Sequence, residues 1–296
     1  MNRVEAFSQH QPLLFSIAYR MLGSVMDAED AVQETFLRWQ QAPHDDVRSP
    51  KSYLSTVVTR LCIDQLRSAR TQREQYIGPW LPEPLVVEEQ PDMDEQLALA
   101  DSLSMAFLVL LESLTPTERA AFLLREVFDY DYGEVARIVD KSEANCRQLV
   151  RRARQHIGER RSRFDVSPDE AQEIAARFLK AATTGDMQGL LDLLADDVIH
   201  WSDGGGKVAA ALNPIQGAEK VARLFIGLAS KMPAGFSLRL AQVNGQLGMI
   251  IYDGSRPYGV FTADVAEGKI YAIRIVVNPE KLRRVPALPV NGRRTD

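Results

Sequence analysis

Over the first 75 residues, apolar side chains recur every three or four positions, the spacing of helices with one buried face. Leu14, Ile17, Ala18, Met21 and Leu22 form one such stripe, which Gly23-Ser24 ends. Asp27 can cap a second helix whose inward positions are Ala28, Val32, Thr35, Phe36 and Trp39. After a polar loop from Pro43 to Arg48, Ser49 as cap and Pro50 at the first helical position open a long helix through Leu54, Val57, Val58, Leu61 and Leu66. Pro79, Pro82, Pro84 and Pro91, interleaved with acids, then predict an extended linker that cannot be helical. Helical spacing resumes near Leu97 and runs to Phe128, interrupted by the capping box Thr115-Pro116-Thr117-Glu118. A helix from Tyr132 to Val139, a turn at Asp140-Lys141 and a helix starting after Ser142 predict a helix-turn-helix that ends near Phe164.

The texture changes at Val166. Helices are predicted over Asp169 to Thr183, Met187 to Ala195 and Gly217 to Lys231. Phe236, Leu238 and Leu240 then alternate, Tyr252-Asp253-Gly254 marks a turn, and Tyr258 to Val265 and Lys269 to Val277 read as strands around Glu267-Gly268. Helices followed by a meander predict an α+β domain with helices on one face of a curved sheet. The expected fold class is therefore multi-domain. Two all-α domains occupy residues 1–75 and 98–164, an acidic proline-rich linker joins them over 76–97, and an α+β domain follows over 166–296.

Composition adds little until charge is mapped. With 45% apolar and 25% charged residues the chain is an ordinary soluble type. It has no apolar run of membrane-spanning length and no signal-peptide pattern in Met1 to His10, so a cytoplasmic protein with no membrane partner is expected. Cys62 and Cys146 lie far apart within helical patterns and the four histidines are scattered, so no disulfide framework, metal or cofactor is expected. The net charge of -5 argues against a nucleic-acid partner only if charge is evenly mixed, and it is not. Lys51 to Arg73 carries a net +4 and Lys141 to Arg163 a net +6, whereas Trp80 to Asp101 has seven acidic residues and no basic one. Because exposed charges are screened beyond about 10 Å, two basic islands suffice for DNA contact.

The helix after Ser142 puts Cys146, Leu149, Val150, Ala153 and Ile157 on one apolar stripe. Its other face presents Ala144, Arg147, Gln148, Arg151, Arg154 and Gln155, residue types that reach phosphates and purine edges. A solvated basic helix has the same pattern, so the neighbouring motifs decide.

Asp27-Ala28-Glu29-Asp30-Ala31-Val32-Gln33-Glu34-Thr35-Phe36-Leu37-Arg38-Trp39 closely resembles conserved region two of the extracytoplasmic-function (ECF) sigma factors of RNA polymerase. Ser49-Pro50-Lys51-Ser52-Tyr53-Leu54, with Asp64-Gln65-Leu66-Arg67, resembles the adjoining promoter-melting region. Leu114-Thr115-Pro116-Thr117-Glu118-Arg119, Tyr132-Gly133-Glu134-Val135-Ala136 and Arg152-Ala153-Arg154 are similar to region four. The resemblance implies that Asp30, Gln33 and Glu34 dock on core RNA polymerase at its β′ clamp, that region four meets the β flap, and that both helical domains read promoter DNA. It further implies contacts to the −10 element by Asp45, Arg48, Arg60, Asp64, Arg67 and Arg70, and to the −35 element by Ser142, Ala144, Arg147, Gln148 and Arg151. The loop from Asp45 to Arg48 corresponds to the place where the family captures a flipped base. Arg60 stands where many members carry asparagine, a departure that bears on base preference.

The rest of the chain narrows the resemblance. Trp80-Leu81-Pro82-Glu83-Pro84-Leu85, Asp203-Gly204-Gly205-Gly206-Lys207 and Asn278-Pro279-Glu280-Lys281-Leu282 resemble motifs of those sigma factors that carry a SnoaL-like extension, a cone similar to nuclear transport factor 2. The resemblance implies that this extension modulates activity in cis; the apolar Trp80-Leu81 end of the linker is expected to pack against it near the Asp203 turn and the Asn278-Pro279 segment. The glycine run is not a P-loop, because Val208 follows Lys207 where serine or threonine is required. His200, Trp201 and Asp203 could line a pocket, so a small ligand or a cyclase-like or isomerase-like site stays open beside the non-enzymatic reading. A helix-turn-helix regulator with a ligand-sensing domain is the alternative within the DNA-binding class.

Overall fold

A computed structural model describes residues 2–42, 49–73, 75–87, 101–158 and 166–288. Asp45 and Arg48 lie outside the described residues, as do the acidic stretch 88–100 and the side chain of Arg70. The chain divides into two compact units, Met1–Gln75 with Asp101–Arg161, and Tyr76–Ala100 with Ser162–Asp296.

The first unit is built of amphipathic helices with defined ends. Helix α1 (Arg3–Leu22) begins at a capping box of Asn2 and Glu5 and ends at Gly23, whose φ of 67° lets its N–H return to the Tyr19 carbonyl. Helix α2 (Val25–Gln41) is capped by Ser24 rather than Asp27. The Asp27 N–H donates to Ser24 Oγ at 3.2 Å, which leaves Asp27 in the first turn, where its charge complements the helix dipole. Helix α3 (Pro50–Arg73) follows the predicted Ser49-Pro50 start. A short 3-10 turn (Asp101–Leu103) leads into α4 (Met105–Leu111). The predicted Thr115–Glu118 capping box opens α5 (Pro116–Glu126). The helix-turn-helix is α6 (Tyr132–Val139) and α7 (Glu143–Gly158), joined through Asp140 at φ 54°.

Two buried arginines tie these helices into one body. Arg119 donates to the Met21 carbonyl at 2.7 Å and pairs with Glu112 at 2.8 Å. Met21 lies in the last turn of α1, where carbonyls lack intrahelical partners, so Arg119 closes that helix from outside. Arg20, 1% exposed, donates to Ser102 Oγ at 3.0 and 3.1 Å. Burial pulls the guanidinium pKa down to about 10 at Arg20 and about 9 at Arg119. Ser55 and Tyr130 hydroxyls meet at 2.7 Å, joining α3 to the segment before α6.

The second unit is α+β. Helix α8 (Pro168–Thr184) starts at its Ser167 cap and ends at Gly185. Helix α9 (Met187–Leu193) runs directly into strand β2 (Leu194–Asp203). Then come β3 (Ile215–Gln216), α10 (Ala218–Ser230), β4 (Phe236–Val243), β5 (Gln246–Asp253), β6 (Arg256–Ala266) and β7 (Lys269–Val276). Linker residues Val86–Val87 supply β1. The sheet order is β1-β4-β5-β6-β7-β2-β3, antiparallel except for the β2–β7 pair. The core includes Phe178, Leu190, Val198, Val221, Phe225 and Ile273, from all three helices and the sheet.

The helix predicted to Ala195 gives way to strand at Leu194, and β2 as a whole was not expected. Its register shifts between Leu194 and Ile199, with Asp196 and Asp197 exposed side by side, which breaks the alternation that marks a strand. Strand β5 also escaped, because Gly248 to Ile250 are consecutively buried.

Removing Arg119 strips the Glu112 partner and reopens the end of α1. Arg119→Ala is expected to cost about 3–5 kcal/mol in urea unfolding, whereas Arg38→Ala, which loses only an exposed pair with Glu34, is expected to cost under about 1 kcal/mol.

Candidate functional site

The surfaces expected to meet polymerase and DNA lie on the first unit. On α2, Asp30 and Gln33 are exposed, and Glu34 is engaged by Arg38 at 2.8 Å one turn on. Gln33 and Glu29 edge a cleft of about 660 Å³ whose apolar floor is Phe7, Phe15, Val32 and Phe36, between α1 and α2. On α7, Ser142, Ala144, Arg147, Gln148 and Arg151 are all exposed. Arg147 is steadied by Glu143 at 2.9 Å and lies 5.0 Å from the Tyr132 ring centre, so its guanidinium is oriented in advance. Arg154, read from sequence as part of the same polar face, forms two bonds to Glu126 at 2.8 and 2.9 Å and braces α7 on α5.

On α3, Asp64 and Arg67 are exposed and pair with each other at 3.3 Å. Arg60 is otherwise occupied. Its guanidinium donates to the carbonyls of Arg137 and Ile138, each at 3.0 Å, in the last turn of α6. It thus satisfies carbonyls that the helix end leaves open, with two of its five N–H donors, while the side chain stays exposed.

The second unit gathers the three C-terminal motifs around one carboxylate. Asp203 has no exposed surface. Its Oδ2 accepts from the Leu81 N–H at 2.9 Å and from Lys281 Nζ at 2.7 Å, and its Oδ1 accepts from the Tyr76 hydroxyl. Asn278 Nδ2 donates to the same hydroxyl at 2.9 Å, and the N–H groups of Val277 and Asn278 both donate to the Asp203 carbonyl. Lys281 also bonds the Leu81 carbonyl and sits 4.3 Å from the Trp80 ring centre and 5.0 Å from that of Tyr76. Burial first, then the hydrogen bond to Asp203 and after it the Asp203 charge, push the Tyr76 phenol well above its ordinary pKa, so it remains a donor.

The glycine run makes the approach possible. Gly205 and Gly206 have φ of 59° and 70°, and a Cβ at either would come within 2.3 Å of Asn278 Nδ2 or 2.8 Å of Ile77 Cδ1. Lys207 pairs with Glu280, beside the exposed Pro279, and holds that carboxyl below its usual range. Further along the linker, Pro82 is buried, Leu85 exchanges hydrogen bonds with Asn244 at 3.1 and 2.8 Å, and β1 pairs with β4. Residues 76–87, which the sequence suggested as an extended tether, do run extended but along the sheet of the second unit. Sequence reasoning missed Tyr76 and Asn244, whose roles arise only from tertiary proximity.

Of His200, Trp201 and Asp203, which the sequence suggested could line a pocket, only His200 does so. His200 and Ser202 line a cavity, while Trp201 and Asp203 take the opposite face of β2. Trp201 lies under Arg274 at 5.2 Å, and Arg274 pairs with buried Asp264 at 2.8 Å. Asp203, committed to the linker, cannot orient His200. Among the described residues there is no cluster able to hold a metal ion, and no helix is long and apolar enough to cross a membrane.

A helical unit with a helix-turn-helix and a region-two-like bundle, joined through a linker to an α+β cone, defines a transcription initiation factor. Models of Sigma-70 region 2 and Sigma-70, region 4 match residues 6–72 and 104–157. The chain is 37% identical over 297 residues to the ECF RNA polymerase sigma factor SigJ of Mycobacterium tuberculosis, spanning 97% of this chain and 94% of that one. It is 33% identical over 280 residues to the probable ECF RNA polymerase sigma factor SigI of the same species, spanning 94% and 93%. The crystal structure of the M. tuberculosis ECF sigma factor SigJ matches with a TM-score of 0.75 at 34% identity, over 95% of this chain and 98% of that one. The chain belongs to the ECF sigma factors of RNA polymerase, in the SigJ-type group with a SnoaL-like C-terminal domain. It directs transcription initiation, with RNA polymerase and promoter DNA as its partners.

Asp203→Asn keeps the size of the side chain but leaves the Lys281 cation without its counter-charge. It is expected to destabilise the second unit by about 3 kcal/mol in urea unfolding and to speed proteolysis within residues 76–87, while Lys207→Ala, at an exposed pair, does neither.

Proposed function

We propose that the α+β unit controls the sigma factor in cis by taking up the linker, with Asp203 as the anchor and Trp80, Leu81, Pro82, Gly204, Gly205, Gly206, Lys207, Asn278, Pro279 and Lys281 completing the grip. The observation that carries this reading is the buried Asp203 carboxylate bound at once to Tyr76, Leu81 and Lys281. Holding residues 76–87 on the sheet removes twelve residues from the free tether between the two sigma modules. At roughly 3.3–3.6 Å per extended residue, that is about 40 Å of reach. The spacing available to the −10 and −35 readers then depends on whether the grip is closed.

In this reading Asp30, Gln33 and Glu34, beside the apolar cleft of α1 and α2, dock on the polymerase β′ clamp, while region four meets the β flap. Asp45, Arg48, Asp64, Arg67 and Arg70 attend the −10 element, and Ser142, Ala144, Arg147, Gln148 and Arg151 attend the −35 element. Arg60 belongs to the first group as well, through the donors that its two bonds to the α6 carbonyls leave exposed.

Transcription in vitro with reconstituted core enzyme tests the cis reading. Trp80→Ala, which uncovers Lys281, is expected to change promoter output several-fold and to widen the spread of distances between labels on α2 and α7. Unchanged output and unchanged distances would refute it. For the surfaces, Arg147→Ala or Arg151→Ala is expected to weaken promoter binding by about 1–3 kcal/mol where the contact is bidentate to a base. Asp30→Lys with Glu34→Lys is expected to abolish co-purification with core polymerase at an unchanged melting temperature. Retained affinity or retained co-purification overturns the respective assignment.

A further inference from the structure

Helices α8 and α10 and one face of the sheet enclose a cavity of about 440 Å³, a size typical of small-molecule sites. Its wall is apolar, with Phe178, Leu224, Phe225, Met249, Ile251 and Phe261 among the lining residues. The polar groups in the wall are few. Ser202 Oγ accepts from the Ala211 N–H at 2.9 Å, and Lys231, the one charged residue of the lining, is exposed.

His200 is different. Its side chain is buried, with the residue 2% exposed, it lines the cavity edge-on to Phe225, and its Nδ1 has no hydrogen-bond partner. A buried polar nitrogen left unanswered is a standing cost that a bound group can relieve. Burial draws the imidazole pKa down to about 4, against a hydrogen bond to the Ile273 backbone that raises it, so His200 is neutral at neutral pH.

The cavity also has a mouth. Leu228, Met232, Leu238 and Tyr258 line it and are nevertheless exposed, four of the ten large apolar residues exposed among those described. Such gathering of apolar surface around one opening marks a site of entry rather than scattered surface residues.

We propose that this cavity binds a neutral, mainly apolar small molecule of two or three rings, with one hydroxyl or equivalent group meeting His200 Nδ1. An anion is disfavoured, since no buried cation faces it. His200 and Ser202 stand on the strand that ends in Asp203, so occupancy bears directly on the linker anchor. That consequence rests on the cis reading of the α+β unit, whereas binding itself does not.

Calorimetric titration of the full chain with 4-phenylphenol tests the site, with biphenyl-4-carboxylate as the charged counterpart. The expected result is saturable one-to-one binding of the phenol at micromolar concentration, and at least tenfold weaker binding of the carboxylate. His200→Phe, which keeps an aromatic ring but removes Nδ1, is expected to weaken the phenol about tenfold. Leu224→Trp, or Ala229→Trp if the first variant unfolds, is expected to abolish binding by filling the space. No saturable binding, equal binding of both probes, or binding that survives the filling variants overturns the proposal. So does a concentration-dependent dimer dispersed by Leu228→Glu without phenol uptake, which would assign the mouth to a second copy of the chain. Phenol binding with unchanged transcription would leave the site standing and remove only its coupling to the linker.

Discussion

A carboxylate with no exposed surface is tenable only when donors replace the water it has lost, and Asp203 meets that condition by drawing on three parts of the chain. The Leu81 amide and the Tyr76 hydroxyl come from the linker, and the Lys281 ammonium comes from the segment after the last strand. Lys281 is itself sheltered, held by the Leu81 carbonyl and lying near the faces of Trp80 and Tyr76. No donor could leave without stranding a buried charge or lone pair. The linker is therefore a component of the α+β fold, and β1 covers the β4 edge that would otherwise stand open. Gly205 and Gly206 are the backbone counterpart of this grip, since a side chain at either would occupy the space of Asn278 or Ile77.

The first unit uses arginine in the same manner, to answer backbone groups that helices leave open. Arg119 closes α1 and Arg60 closes α6. Arg119 is buried and its acid half-buried, which makes it a fixture of the core. Arg60 is exposed and bonds only to carbonyls, so its contact is reversible, and it stands on the helix whose family role is promoter melting.

Much of the fold was legible from local signals. The Thr115–Glu118 capping box, the Gly23 helix end, the Asp140 turn and the Glu267-Gly268 turn each occur where residue chemistry demands them. Strand β2 was not legible, because two adjacent exposed aspartates interrupt its period, and β1 was not, because a two-residue strand exists only through its partner. The motifs around Trp80, Asp203 and Asn278 stood out through resemblance, yet nothing in their spacing showed that one carboxylate would join them. Tyr76 and Asn244 carried no local mark at all. Arg154 stands on the polar face that periodicity gave it, but its pairing with Glu126, 28 positions away in sequence and adjacent in space, left no local mark.

The linker belongs to the folded α+β unit, and native-state hydrogen exchange at the Leu81 amide measures this most directly. If Asp203 holds that N–H in a buried bond, its exchange is slowed as much as that of the Ile273 amide in β7, and it opens only with global unfolding of the unit. Exchange of Leu81 at the rate of an exposed loop, with β7 still protected, would contradict the account.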